Sequence, residues 1–325
     1  MKILITRHTE YSLDKTVTDM DHVSDLILHG LVMLGHEVTD APKIYTVYKS
    51  FGQPGTLAPN GLVHRDLFGM GFTLCNTVPD ETHIDRTDIE SRIRNHYFDL
   101  VILSRADFSS PYEELILEHY PPTQVIILDG KDSINFGDAY TRDTLFLIER
   151  GTYFKRELVY HHPRVFPISC SFPKDKIIHP SGIAKTQTWS IATPKGPDVT
   201  PDTYEFNNEL EYYRGYARSY LGMSNRKYEW WEYERHYEIM ASGCVPVIPQ
   251  IANCPVSSLC TMPKEQLLAV NQFITDHGAD WFTHGTGLEI YQVLQEQIFN
   301  HFLEHCTTEA VAQYMLDTHA KLCNK

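Results

Sequence analysis

The chain has 325 residues, 42% of them hydrophobic, so it can fold as one large domain or two medium-sized domains. Its formal net charge of −14 argues against a protein that grips nucleic-acid phosphates with a broad basic face. Seven scattered cysteines without a CxxC pair indicate reduced thiols rather than a disulfide framework.

The first half of the sequence alternates short apolar strands with amphipathic helices. "KILIT" (Lys2–Thr6) predicts a strand, "DMDHVSDLILHGLVMLG" a helix capped by Gly35, and "HEVTD" a second strand. "FDLVILS" and "VIILDG" (Val125–Gly130) predict two further strands, each after a helical pattern. The alternation predicts an α/β fold with a doubly wound parallel sheet. Ligands bind such sheets beyond the carboxyl ends of the strands, which here read "TRHTE", "SRADFSS" and "DGKDS".

The composition shifts around residues 174–205, where proline, lysine and aspartate accumulate, and we place the domain crossing near 170–185. Beyond it, "TWSIAT" and "VPVIP" predict strands, and "NNELEYYRGYARSYL" and "WWEYERHYEIMAS" predict helices. "PKEQLLAVNQFITDH" and the stretch from "GLEIYQ" to "DTHAKL" are also helical in pattern. The predicted units are a first domain (1–175), a second domain (176–300) and a final helix (301–325).

One stretch combines charged side chains with a helix-to-strand junction. In "RHYEIMASGCVPVIP" (Arg235–Pro249), Glu238 follows Arg235 by three residues, so both lie on one helix face, and Gly243 ends the helix. An arginine can pair bidentately with a diphosphate, and a carboxylate can accept two hydrogen bonds from a ribose diol. Alternatively, the two side chains form an intrahelical ion pair worth a few tenths of a kcal/mol. The spacing leaves both interpretations open.

The same stretch resembles the nucleotide-sugar motif of GT-B glycosyltransferases, and it is particularly similar to exostosin-like and CgeB-like members. "DLILHGLVMLG", "VIILDGKD" and "YFKREL" in the first half resemble the CgeB-like group as well. The resemblance implies two facing Rossmann-like domains, the GT-B architecture, with the C-terminal helices crossing back to the N-terminal domain. It also implies that the donor is held mainly by the second domain.

The resemblance implies a role for five residues of the second domain. Glu238 binds the ribose of the donor nucleotide, and Arg235 neutralises its diphosphate. Gly243 and Cys244 bring the backbone close to the phosphates or the base. Tyr233 is assigned to the donor site because such proteins place aromatic and acidic residues before the arginine.

Three strand ends of the first half carry candidate catalytic groups. His8 lies two residues beyond the first strand and could be the general base for the acceptor, because its pKa lies near operating pH, or a polar loop residue. Asp129 and Asp132 end another strand and allow the same two interpretations. "FKRE" could supply Lys155 or Arg156 to the leaving diphosphate in place of a metal, or form a surface turn with a salt bridge.

Two features depart from better-known members of that family. "TRHTE" stands where a glycine-rich turn is usual. "DMD" (Asp19–Asp21) lies at a helix start, where acidic residues favour the helix dipole, so we do not assign it to a metal. We therefore expect no metal site and no cofactor, with a nucleotide-sugar donor as co-substrate.

The leading hypothesis is a hexosyl- or pentosyltransferase that moves a sugar from a nucleotide-diphosphate sugar to a hydroxyl of a glycan, polysaccharide or glycoprotein. With neither a membrane span nor a signal peptide in the sequence, we expect it in the cytoplasm, or in the host cytoplasm if viral. The charge argues against a nucleic-acid partner, but a transferase acting on modified DNA bases is an alternative. A non-catalytic nucleotide-sugar-binding protein is another. A periplasmic-type binding protein is disfavoured by the missing signal peptide.

Overall fold

A computed structural model describes residues 1–7, 21–44, 47–51, 72–80, 84–105, 110–131, 134, 144–190, 206, 208–224 and 230–323. In these residues the strands are β1 (Lys2–Arg7), β2 (Glu37–Asp40), β3 (Leu100–Arg105), β4 (Val125–Asp129), β5 (Thr152–Lys155), β6 (Val165–Pro167), β7 (Gln187–Trp189), β8 (Ser219–Met223) and β9 (Val245–Val247). The helices are α1 (His22–Met33), α2 (Ile89–Arg94), α3 (Glu113–His119), α4 (Thr144–Ile148), α5 (Glu209–Ala217), α6 (Glu234–Ala241), α7 (Lys264–His277), α8 (Gly285–His305) and α9 (Thr308–Cys323).

The first sheet is parallel throughout its described strands, in the order β2-β1-β3-β4-β5-β6. Neighbouring residues on a strand enter different apolar clusters: Ile102 and Ile126 face one, Leu103 and Ile127 the other. Burial on both faces explains why these strands are continuous apolar runs rather than alternating ones. The predicted doubly wound sheet is confirmed, and its order reverses between β1 and β3, where such sheets bind ligands.

The second sheet is smaller, with the described strands β7-β8-β9 parallel and in that order. The prediction of one helix through "RSYL" is wrong, because α5 ends at Ala217 and β8 begins at Ser219. Leu221 of β8 is fully buried between its two neighbouring strands. The expected helix "WWEYERHYEIMAS" is also shorter: it begins at Glu234.

The C-terminal helical stretch consists of two helices, α8 and α9, rather than one. The break between them lies beside Phe172. The Phe172 amide donates to the Cys306 carbonyl, and the Phe172 carbonyl accepts from the Thr308 amide. After this break α9 packs on α1, with His29 Nδ1 lying 2.9 Å from the Thr308 hydroxyl. The expected return of the C-terminal helices to the first domain is confirmed.

The two sheets share one apolar core. A single cluster of buried side chains extends from Ile102 of the first sheet, through Ile27 of α1 and Phe172 of the connection, to Tyr237 of α6. The chain leaves the first sheet after β6 and enters the second at β7. Among the described helices, none is long and apolar enough to cross a bilayer.

Candidate functional site

The first turns of α1 and α6 meet between the two sheets, where His22 Nδ1 lies 3.3 Å from Glu234 Oε2. We call this region between the sheets the seam. Asp21 caps α1 by accepting two amide hydrogen bonds of its first turn. The Ser104 hydroxyl donates to the Asp21 carboxylate at 3.1 Å. The same carboxylate packs closely on Gly130, where the Cβ of any other residue would overlap it. The α1 start therefore lies over the carboxyl ends of β3 and β4, opposite the α6 start.

Asp129 and Lys155 form a buried pair at the carboxyl ends of β4 and β5. Lys155 Nζ lies 3.3 Å from Asp129 Oδ2, and Lys155 is only 1% exposed. The Tyr153 hydroxyl donates to the same oxygen at 2.7 Å, and the Lys131 amide donates to Oδ1 at 3.1 Å. Two side chains predicted separately, as base and as phosphate ligand, thus belong to one group. Among the described residues, no three His, Cys, Asp or Glu side chains are placed to hold a metal ion.

Arg156 extends this group towards the seam. Burial acts to lower the pKa of Arg156, but the charge interactions with Cys170 and with the nearby carboxylates outweigh burial, so the pKa is raised. These carboxylates belong to Glu157, Glu232 and Asp21. The guanidinium therefore stays charged although it is buried. The alternative of a surface turn is wrong for "FKRE", because all three charged side chains are buried.

Glu238 lies inside the seam with both carboxylate oxygens engaged by hydroxyls. Oε1 accepts from Thr73 at 2.7 Å and Oε2 accepts from Tyr212 at 2.6 Å. Burial raises the pKa of this carboxyl, although both hydroxyls act to lower it. The charge of Glu234 acts to raise the pKa of Glu238 further, and the charge of Arg235 acts to lower it.

The contact between Thr73 and Glu238 is one end of a polar chain that crosses the seam. The Thr73 hydroxyl lies 2.6 Å from the Tyr213 hydroxyl, which donates to Glu209 at 2.9 Å. Lys176 completes the chain with an ion pair of 2.7 Å to Glu209. Because each member has a polar partner, the segment that carries Thr73 is held firmly against α5 and α6.

The start of α6 carries the remaining predicted residues. Tyr233 occupies the N-cap position with an extended backbone (φ −139°, ψ 133°), and its ring centroid lies 6.1 Å from that of His236. Tyr233 and Arg235 are both half-buried. Arg235 lies on the first turn, where the N-terminal end of the helix dipole also favours an anion.

Gly243 and Cys244 lie at the other end of α6, roughly 12 Å along the axis from its first residue. Gly243 adopts φ +63°, and a Cβ there would lie 2.5 Å from Pro180 Cβ. Its carbonyl accepts from Lys185 at 2.7 Å. Cys244 precedes β9 and is buried, which raises its pKa to about 12. Both residues lie at the amino end of β9, so their placement supports a packing role and gives no support to the predicted approach to phosphates.

His8 and Asp132 lie outside the described residues, and their predicted roles stay predictions. The seam also contains residues that the sequence reasoning did not single out, namely His22, Thr73, Glu157 and Glu234. Two weak signals were present, since His22 follows the acidic residues of a predicted helix start and Glu157 follows the two cations of "FKRE". Thr73 gave none, because its partners are far away in the chain.

His236 should make the protein less stable in acid. It is fully buried, its Nε2 lies 2.8 Å from the Trp231 carbonyl, and burial lowers its pKa to about 4. Between pH 6.5 and 4 the unfolded chain binds a proton that the folded chain does not, so stability is lost as the pH falls through this range. We expect the difference in unfolding free energy between wild type and His236→Gln to shrink by about 3 kcal/mol from pH 7 to pH 4.

Urea unfolding of both proteins at pH 7, 6, 5 and 4 measures this difference. Glutamine can donate from its side-chain nitrogen to the same carbonyl but does not titrate, so it isolates the effect of the proton. A difference that stays constant over the whole range would contradict the assignment.

Comparisons with known proteins find similarity only among solved structures; no family model and no curated protein matches the chain. An alpha-glucosyltransferase in complex with UDP and a 13-mer DNA containing a central A:G mismatch has a TM-score of 0.48 and 13% identity, with 100% of each chain covered. An alpha-glucosyltransferase (AGT) in complex with UDP has a TM-score of 0.45 and 12% identity, again with 100% of each chain covered. A third, in complex with UDP-glucose and DNA containing an abasic site, has a TM-score of 0.44 and 12% identity, covering 100% of this chain and 99% of that one.

Proposed function

We propose that the chain is a glycosyltransferase that uses a nucleotide-diphosphate sugar as donor and a hydroxyl group as acceptor. The observation that carries the proposal is the contact between the segment before α6 and the end of β5, where the Trp231 and Glu232 amides bind Glu157. This contact brings the helix start that carries Arg235 to the edge of the first sheet where Asp129 and Lys155 lie. Such a seam offers an anion-binding helix terminus on one side and acid–base groups on the other.

In the proposed reaction the donor diphosphate lies at the first turn of α6. Arg235 pairs with it, and the positive end of the helix dipole attracts it. The acceptor oxygen bonds to the anomeric carbon while the bond from that carbon to the diphosphate oxygen breaks. The electron pair leaves with the diphosphate, and the buried charges of Lys155 and Arg156 stabilise it.

Glu238 binds the donor ribose in this proposal. The carboxylate accepts one hydroxyl on each oxygen, and a ribose diol supplies the same two groups. The Thr73 and Tyr212 hydroxyls therefore compete with the ribose diol, and each turns away by rotation of its side chain while the backbone stays in place. The role is supported by this likeness, because in both cases a hydroxyl group donates to each carboxylate oxygen.

The acceptor proton goes to a base on the first sheet, and Asp129 and His8 are the proposed candidates. Asp129 has the necessary lone pairs but shares them with Lys155 and Tyr153. We propose a carbohydrate hydroxyl as the acceptor. DNA with hydroxymethylated bases, which also offer hydroxyl groups, is the alternative.

A panel of UDP-, GDP-, CMP-, dTDP- and ADP-sugars should raise the melting temperature of the wild type for one nucleotide, because binding to the folded state stabilises it by mass action. In Glu238→Gln we expect the affinity for that donor to fall about 10- to 100-fold, since a hydrogen bond to a charged group is worth roughly 1.5–3 kcal/mol. Glutamine keeps the shape of the side chain and one accepting oxygen, so it removes only the charge and the second accepting oxygen. Calorimetric titration measures the affinities.

Thr73→Val is the matched control, because it removes one competing hydroxyl but keeps the shape of the side chain. It should bind the donor at least as tightly as the wild type. If no nucleotide stabilises the wild type, the proposed function is wrong. Slow release of the nucleoside diphosphate without acceptor distinguishes an enzyme from a binding protein, and faster release with oligosaccharide or with hydroxymethylated DNA identifies the acceptor class.

A further inference from the structure

Glu157 is a buried carboxylate that joins the two halves of the seam. It follows Lys155 and Arg156 directly and is 1% exposed. Its two oxygens accept the amide of Trp231 at 3.0 and 2.9 Å, and Oε1 also accepts the amide of Glu232 at 2.7 Å. One side chain at the end of β5 thus binds two successive amides just before α6.

The same two residues are also held from other directions. The Trp231 carbonyl lies 2.8 Å from Nε2 of the neutral, buried His236. The Glu232 carboxylate accepts from the Ser169 hydroxyl at 2.7 Å and from the Tyr237 hydroxyl at 2.8 Å. The position of the first turn of α6 is therefore fixed by this segment, and Glu157 supplies its link to β5.

Two properties of Glu157 are costly for a residue with a packing role alone. Its backbone adopts φ +54°, a conformation that non-glycine residues rarely take. Its burial and the nearby charge of Glu232 raise its pKa to about 7, although the two amides and Arg156 act to lower it. Strained backbone and carboxyl groups of shifted pKa each cluster at functional sites.

The contact between Glu157 and the Trp231 and Glu232 amides joins two segments that carry proposed donor-binding residues. Lys155 and Arg156, which we call the β5 cations because they lie at the end of that strand, immediately precede Glu157. Tyr233 immediately follows the amides that Glu157 binds, and Arg235 lies two residues further on. A shift of the α6 start relative to β5 would separate the cations of the first sheet from Arg235. A misplacement of about 1 Å in a catalytic site can reduce the rate about 10²-fold.

We propose that Glu157 is a positioning residue, which holds the start of α6 against the end of β5 so that Arg235 and the β5 cations act on one diphosphate. The inference rests on the proposed function. It assigns to Glu157 no contact with the donor. Loss of Glu157 should therefore reduce turnover much more than donor binding.

The test compares Glu157→Ala and Glu157→Gln with Glu113→Gln, which changes an equally buried glutamate on the first turn of α3. Donor affinity and the acceptor-independent release of UDP from UDP-glucose, or of the nucleotide that stabilises the wild type, are measured for each protein. Hydrogen exchange of the Trp231 and Glu232 amides reports the link itself.

For Glu157→Ala we expect faster exchange at both amides, about 100-fold slower turnover and a donor affinity within about fivefold of the wild type. Glu157→Gln keeps one accepting oxygen and should recover part of the rate, which also serves if the alanine variant does not fold. Glu113→Gln should leave exchange and turnover unchanged.

Normal turnover despite faster exchange at the two amides would overturn the positioning role while the proposed function stands. Equal losses in Glu157→Gln and Glu113→Gln would overturn it too, because burial alone would then account for the effect. A wild type that neither binds nor turns over any donor in the panel would overturn both the function and the inference.

Discussion

Replacing Gly30 by alanine should cost roughly 3 kcal/mol of the free energy of unfolding and loosen the return of α9 onto the first domain. Gly30 lies in the buried face of α1, where a Cβ would overlap the backbone carbonyl of Thr308 and lie 2.9 Å from the Ala312 Cβ. The obstructing carbonyl belongs to the first turn of α9 and cannot rotate away. Alanine favours the helix by about 1 kcal/mol over glycine, but the overlap outweighs that gain.

Gly35→Ala is the matched control. Gly35 follows the end of α1 with φ +81° and has no neighbour within 4 Å of the position of a Cβ. It should lose about 1 kcal/mol through backbone strain alone and leave α9 in place. Urea unfolding gives the free energies, and hydrogen exchange along α9 reports its docking. Equal effects of the two substitutions would show that the contact between α1 and α9 is not tight.

The sequence predicted the first sheet well because its physical signals are local. A parallel strand buried on both faces is a continuous apolar run, as "LVILS" and "VIILD" show. The Asp21 cap and the positive φ of Gly35 mark the ends of α1 in residues next to the helix itself. The α/β class and the return of the C-terminal helices followed from such signals and from the resemblance.

The second sheet was harder because its described strands are short. Ser219–Met223 continues the pattern of α5, so the residues alone do not separate strand from helix. The start of α6 was misplaced for another reason. The amides of Trp231 and Glu232 bind the Glu157 carboxylate, 74 and 75 residues earlier in the chain, and the segment before α6 stays extended.

The candidate site was predictable in its residue types but not in its partners. The pairing of Thr73 with Glu238 joins residues 165 positions apart, and no spacing rule connects them. Asp129 and Lys155 were chosen separately, as base and as phosphate ligand, because each ends a predicted strand. Only the register of β4 against β5, in which these two residues are partners, shows that they form one pair.

Lys155→Met should therefore affect folding and chemistry at once. Methionine removes the ammonium but leaves the Asp129 carboxylate in a buried site, where loss of one ion-pair partner costs about 3 kcal/mol or more. Adding Asp129→Asn removes the remaining charge. The double variant should then recover most of the lost free energy of unfolding, because burying a neutral pair costs less free energy than burying a single unpaired charge. A double-mutant cycle with urea unfolding measures this coupling.

Turnover should not recover with stability. If Lys155 stabilises the leaving diphosphate, both the single and the double variant should release nucleotide about 100-fold or more slowly than the wild type, the usual effect of removing one transition-state donor. The double variant is the informative protein, because it is expected to be folded and still inactive. If it is both stable and fully active, the pair is a structural ion pair, and the leaving group must depend on Arg156 and Arg235 alone. A stable double variant with lost turnover and retained donor binding places the role of the pair in the transition state rather than in the folded core.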